Sequence, residues 1–270
     1  MVLCWLAAGQ AGADSVQAPQ RIASLNLCLD QMLLKLVPPE RIASVTYLSA
    51  EPALSPFANR LHGIKLNQGS AEELIPLAPD LILVGDFGAR EAVHLLERLG
   101  QPVVRLSLPQ SLDGIRQHIA TLGRLVGAET RADQLLVELD QALARLNAHP
   151  IKGRSRPGAF WYSANSMVAG SDTLEDELMK RAGYRNLAAQ MGISQFQPLA
   201  LERLLAADPE LLILSQPYGQ AFSLAREYLE HPALARLDAR RQPVPAALSG
   251  CPAPVMTQVI ETLADTRPQP

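Results

Sequence analysis

The chain has 270 residues, of which 48% are hydrophobic and 19% charged, and its net charge is −3. That composition belongs to a globular chain able to bury one large or two moderate cores. Slight acidity with scattered Lys and Arg argues against a nucleic-acid partner, and no apolar run reaches the roughly 18 residues that a bilayer span needs.

Residues 1–13 read as the remainder of a secretory signal. Val2 to Ala8 form a short apolar core, and Ala11-Gly12-Ala13 is a small-residue cleavage site before Asp14. The usual basic stretch ahead of the core is missing, since the first basic residue is Arg21. An apolar tail packed on the domain is the alternative. Cys4 counts with the signal, so export would leave Cys28 and Cys251 in an oxidising compartment.

From Arg21 the pattern predicts a strand to Leu25, a helix from Asp30 to Leu36 ended by Pro38-Pro39, and a strand from Arg41 to Val45. Ser70 and Glu73 form a capping box that starts the next helix. A strand over Leu81 to Val84, a helix over Glu91 to Leu99 and a strand over Pro102 to Leu106 follow. Two helices come next. One runs from Leu112 to Val126 and ends at Gly127; the other starts at Thr130, with Asp133 in the capping-box position, and runs to about Asn147. At about 1.5 Å per residue the second is a rod of roughly 27 Å, long enough to cross between lobes.

A polar connector, His149 to Pro157, precedes a second α/β stretch. It contains a strand over Ala159 to Tyr162, helices over Thr173 to Ala182 and Leu224 to Glu230, a strand near Pro243 to Ala246, and a last helix from about Val255 to Ala264. One unit occurs twice, 130 positions apart, as Glu72 to Gly85 and as Glu202 to Ser215. Each copy joins a short helix, through a proline that cannot continue it, to an unbroken aliphatic run. Such a run suits a strand covered on both faces of a parallel sheet. The expected fold class is therefore α/β, with two similar α/β lobes built on mostly parallel sheets. Residues 14–127 form the first lobe, 128–150 the bridging helix and connector, and 151–270 the second lobe.

In parallel sheets ligands bind beyond the carboxyl ends of the strands. That rule nominates Asn26, Cys28, Tyr47, Gln68 and Phe87 from the first lobe, and Asn165, Phe196, Tyr218 and Cys251 from the second. Aromatics make up only 4% of the chain, so four of them on cleft loops (Tyr47, Phe87, Phe196, Tyr218) point to a large, partly apolar ligand. Packing within a lobe is the plainer reading for any one ring. Cys28 and Cys251 fall on loops of opposite lobes. A disulfide across the cleft, contact of a thiolate with the ligand or its metal, and burial as small apolar residues all remain open. The five histidines have no metal-ligand spacing, so no metal held directly by the chain is expected. Arg60 and Arg90 are candidates for pairing with an anionic chelate, or else solvated surface residues.

Arg21-Ile22-Ala23-Ser24-Leu25-Asn26 with Leu33 to Leu36 and Arg41-Ile42, the unit at 72–85, Leu99-Gly100-Gln101-Pro102-Val103 and Ser111-Leu112 resemble periplasmic substrate-binding proteins for iron chelates and cobalamin. So do Glu175-Asp176-Glu177-Leu178, His231-Pro232-Ala233-Leu234, and Gly250 with Pro252. The resemblance implies two lobes bridged by one long α-helix, with ligand held between them and delivered to the permease and ATPase of an ABC importer. It further implies a periplasmic, monomeric binding protein with no catalytic role and no intrinsic cofactor. The expected cargo is a metal chelate: a ferric siderophore first, then cobalamin or another corrinoid, then haem. Acidic residues that dock on the permease are expected in this family, and Glu91 and Glu227 are the candidates, against a reading as ordinary exposed helix glutamates. Cysteines at 28 and 251 depart from the family pattern. An enzyme on the same scaffold is opposed by the absence of a phosphate-cradling loop, a G-x-S-x-G elbow or an H-E-x-x-H helix. A sensor would share the cleft and differ only in its partner.

Overall fold

The computed structural model describes residues 17–147, 156–216 and 227–266. Within them the chain builds two separate sheets. The first lobe holds β1 (Ile22–Ser24), β2 (Ile42–Thr46), β3 (Lys65–Asn67), β4 (Leu81–Val84) and β5 (Val103–Arg105), all parallel, in the order β3-β2-β1-β4-β5. Around them lie α1 (Leu27–Leu36), α2 (Ala71–Leu74), α3 (Arg90–Arg98) and α4 (Leu112–Leu125).

The second lobe holds β6 (Gly158–Ser163), β7 (Met167–Ala169), β8 (Arg185–Asn186), β9 (Phe196–Pro198), β10 (Leu211–Ser215) and β11 (Arg240–Val244). Their order is β11-β10-β6-β7-β9, with β8 paired to the start of β6. Strands β6, β8, β10 and β11 are parallel, whereas β7 runs antiparallel to both β6 and β9.

Between the lobes runs α5 (Glu129–Asn147), 19 residues and about 28 Å long. Helices α6 (Leu174–Arg181), α7 (Leu187–Gln190), α8 (Leu201–Ala206), α9 (Ala246–Ser249) and α10 (Thr257–Asp265) complete the second lobe.

The alternation of side chains along a strand explains the unbroken aliphatic runs. On β4, Leu81 and Leu83 enter a central core, while Ile82 and Val84 enter an outer core with Leu74 and Leu96. On β10, Leu211 and Ile213 face the central core and Leu212 faces the second lobe's outer core with Phe160 and Leu204. The central core is continuous through both lobes. Leu135, Leu139 and Leu143 of α5 lie in it, with Leu29 and Leu122 on one side and Trp161, Met179 and Leu263 on the other. The bridging helix is thus packed along its length rather than strung between lobes.

The two copies of the repeated unit share a backbone device. Ala78 and Asp208, each just before its proline, both adopt left-handed conformations, with φ 43° and 47°. That single residue ends the helical turn, and the proline prevents its resumption.

Several boundaries differ from expectation. Helix α1 begins at Leu27 because Asn26 caps it, and α5 begins at Glu129, so Thr130 lies inside its first turn and is not a cap. Phe196, expected on a loop, lies on the short strand β9 opposite Ala169 of β7. Strand β11 lies earlier than expected, over Arg240–Val244. Of the helix expected over 224–230, only a turn at Tyr228–Glu230 falls among the described residues. The signal segment 1–13, the connector residues 148–155 and Tyr218 lie outside them.

Candidate functional site

The carboxyl ends of the two sheets meet where Cys28 and Cys251 form a disulfide, with Cα atoms 5.1 Å apart and 223 positions between them in sequence. Cys28 follows β1 at the start of α1; Cys251 follows β11 and α9. Both are buried. Of the three roles open from sequence, the structure shows the covalent staple. That removes the thiolate reading, because each sulfur is spent on the other. A second tie lies on the far flank of the first sheet, where the Leu112 amide at the start of α4 donates to Glu177 Oε2 of α6 at 2.8 Å.

Asn26 is occupied structurally. Its Oδ1 accepts from the amides of Cys28 and Leu29 at 3.0 and 3.1 Å, the N-cap of α1. Its side chain also lies against Gly85, where a Cβ would sit 2.6 Å from Asn26 Nδ2. Glycine is required there for the β4 loop to approach α1.

That loop carries Phe87, 75% exposed, the most exposed of the large apolar side chains described. Leaving a phenyl ring in water forfeits burial worth about 2 kcal/mol, so an uncovered ring on a nominated loop needs a reason. The loop is braced by Ser107 Oγ donating to Asp86 Oδ1 at 3.1 Å. Tyr47 opens a tight turn, Tyr47–Ala50, after β2 and is 40% exposed. Gln68 is exposed, and its amide donates to Glu73 Oε2 of the Ser70 capping box. Glu91 is exposed in the first turn of α3.

In the second lobe Asn165 is exposed, at φ 58°, in the turn after β6. Phe196 is 42% exposed on β9. Glu227 is exposed, directly before the Tyr228–Glu230 turn. Ser215, at the end of β10, accepts from Trp161 Nε1 at 2.7 Å and bonds Ser163 at 3.1 Å, which places two hydroxyls at the carboxyl edge of this sheet. Arg60 lies over the Phe57 ring at 5.7 Å rather than being free for a ligand.

Two acidic groups were not singled out as site residues by the sequence. Asp30 is fully buried, and its Oδ2 accepts from the Thr46 amide at 2.9 Å, Thr46 Oγ1 at 2.6 Å and Ser49 Oγ at 2.8 Å. Burial pushes its carboxyl up to about 7 despite those bonds. In the second lobe, burial pushes Glu175 of α6 up to about 7 as well, opposed only by its own backbone amide. Neither shift was legible, since an acidic residue in a first helical turn ordinarily faces solvent. Among the described residues no cluster of His, Cys, Asp and Glu is arranged to hold a metal ion, and no helix is long and apolar enough to cross a membrane.

Two α/β lobes tied at the carboxyl ends of their sheets and packed along one helix define a two-lobed solute-binding fold with a helical backbone. The chain belongs to the periplasmic binding protein family, whose model matches residues 22–242. It is similar to a cobalamin-binding protein of Halobacterium salinarum, 25% identical over 197 residues, covering 72% of this chain and 53% of the relative. The chain thus spans about half the length of the curated relatives it matches. Among solved structures, a periplasmic heme-binding protein from Pseudomonas aeruginosa superimposes with a TM-score of 0.73 at 24% identity, over 91% of each chain. The heme-binding protein HutB of Vibrio cholerae gives 0.74 at 20% identity over 91% and 98% of the chains. The vitamin B12-binding protein BtuF of Vibrio cholerae gives 0.66 at 18% over 92% and 96%.

Proposed function

We propose that this chain is the periplasmic solute-binding component of an ABC importer, taking a metal chelate between its lobes and passing it to the membrane permease and its ATPase. The cargo that fits best is a tetrapyrrole-type chelate, a corrinoid ahead of haem, in place of the ferric siderophore that the sequence favours. The observation carrying this reading is the exposure of two aromatic rings, Tyr47 and Phe87, on first-lobe loops at the carboxyl ends of β2 and β4. A broad, flat macrocycle offers faces for such rings, while amides and hydroxyls meet its polar rim.

An anionic siderophore complex calls instead for arginine forks. Arg60 is engaged with Phe57, and Arg105, beside the β4 loop, bonds the Gly85 carbonyl and pairs with Glu97, which leaves Arg90, exposed at the start of α3, as the arginine for such a fork. The names of the relatives agree with a corrinoid or haem cargo. Tyr218 belongs to the same proposed site by its sequence position. Glu91 and Glu227 are the proposed permease contacts, exposed charges that steer docking more than they strengthen it. No chemistry on the cargo is proposed.

Incubation with cyanocobalamin, hemin or a ferric hydroxamate siderophore, followed by gel filtration, tests the reading. Corrinoid or haem bands should travel with the protein and the ligand should be recovered unchanged. Co-migration of the hydroxamate complex alone would restore the siderophore; none retained would end the chelate reading.

A further inference from the structure

The carboxylate of Asp30 is out of reach of any cargo, yet it is placed where it shapes what the cargo meets. Its Oδ2 gathers three donors, the Thr46 amide and hydroxyl and the Ser49 hydroxyl, and the Ser24 hydroxyl of β1 also favours the ionised carboxyl. Strand β2 does not need this help, because it is already paired on both edges, to β1 and β3. What the carboxylate holds is the segment after the strand. Thr46 and Ser49 are drawn into the protein interior at 7% and 0% exposure, and Tyr47 between them is turned outward at 40%.

A single acceptor gripping residues on either side of one aromatic leaves that ring few directions to point. The same stretch of α1 also supplies the Asn26 cap against Gly85 and the Cys28 bond to the second lobe. The Tyr47 turn is therefore referenced to the inter-lobe staple through a single helical turn.

We propose that Asp30 is the positioning residue of the Tyr47 turn, fixing through Thr46 and Ser49 the direction in which the Tyr47 ring faces the cleft. Its effect on affinity rests on the chelate-binding reading above; its effect on the turn does not.

A double-mutant cycle separates positioning from general support. Affinity for cyanocobalamin and hemin is titrated by absorbance in the parent, Asp30→Asn, Tyr47→Ala and the double variant. Tyr47→Ala should weaken binding about tenfold and Asp30→Asn by several-fold. The double variant should bind no worse than Tyr47→Ala alone, because a positioner has nothing left to position. Additive losses, or full affinity in Asp30→Asn, would overturn the proposal.

Amide hydrogen exchange of residues 46–50 in the ligand-free protein is the second arm. Exchange should rise on the order of tenfold in Asp30→Asn, with the rest of β2 unchanged. Unaltered exchange there overturns the proposal whatever the cargo is. If the parent retains neither chelate, the cargo reading fails by itself and the exchange result decides the role of Asp30. Should Asp30→Asn not fold, Ser49→Ala removes one of the three bonds and should shift both readouts the same way by less.

Discussion

The two lobes share a helix–proline–strand unit but hold the loops around their sheets by different means. In the first lobe the loops hang from buried polar side chains: Asp30 on Thr46 and Ser49, and Asn67 Nδ2 on the Ser24 carbonyl and Ser44 Oγ, both at 3.0 Å. In the second lobe a comparable brace, Asn186 Nδ2 on the Ala169 carbonyl and Asp176 Oδ1, lies under α6. The turns of the second lobe are held by backbone. Asn165 and Ser166 at the carboxyl end of β6, and Asp172 and Gln195 on its amino-end side, all take left-handed φ values between 56° and 61°, and Gly170 and Ser171 exchange main-chain bonds with Ile193 and Gln195. Side-chain deletions should therefore disturb the first lobe's loops, whereas added Cβ atoms should disturb the second lobe's turns.

The largest effect should come from the element that belongs to both lobes. The disulfide closes a loop with 223 positions between its ends, and the chain-entropy account assigns such a loop about 5 kcal/mol. Guanidinium unfolding of the Cys28→Ser, Cys251→Ser double variant should show a loss of that order. A loss below about 1 kcal/mol would mean that packing along α5 and the Leu112–Glu177 bond hold the lobes together without the disulfide.

Next comes Asp30→Ala, which strands the Thr46 amide and the two hydroxyls and should cost about 3 kcal/mol. The charge adds a pH signature. With a folded pKa of about 7 against an ordinary aspartate value of 3.8, the native state keeps a proton that the unfolded chain has released. This group's contribution to stability therefore falls as pH rises from about 4 to about 7 and is flat above that. Melting profiles of Asp30→Asn across that range should lose this slope. An unchanged slope would place the proton elsewhere.

Gly170→Ala probes the turn after β7, since a Cβ there would lie 2.2 Å from the Ile193 carbonyl oxygen. Backbone cannot yield as a side-chain tip can, and the expected cost is about 2 kcal/mol by thermal melt. A neutral substitution would show that this turn is not fixed by its backbone.

The smallest change should be a gain. Glu175 is half-buried where Asp30 is fully buried, and it has only its own amide to offset the desolvation, so Glu175→Gln should raise stability at pH 8 by about 1 kcal/mol. Its acid-side slope has the same sign as that of Asp30, stability falling as pH rises towards 7. Destabilisation at pH 8 would point to a partner for the carboxylate that these contacts do not include.

The outcome for particular residues shows where legibility ends. The Leu81 to Val84 strand, the Ser70–Glu73 capping box and the long rod of α5 were readable because short-range pattern alone decides them. Strands β8 and β9 were not, since Phe196-Gln197-Pro198 carries little strand preference and is extended by pairing with β7. Phe87 was picked by position after β4, and only the structure gives its exposure. Asp30 entered the reading only as the start of a helix, because burial of a polar group is set by what folds over it.

By itself the sequence determined the repeated unit, the α/β class and the bridging helix, since each depends on residues a few positions apart and on the periodicity of apolar side chains. Tertiary structure alone decided that Cys28 meets Cys251, that a buried carboxylate grips the Tyr47 turn, and that one core runs through both lobes along α5. Those outcomes depend on distances between residues far apart in the chain, and no local pattern encodes a distance across a cleft.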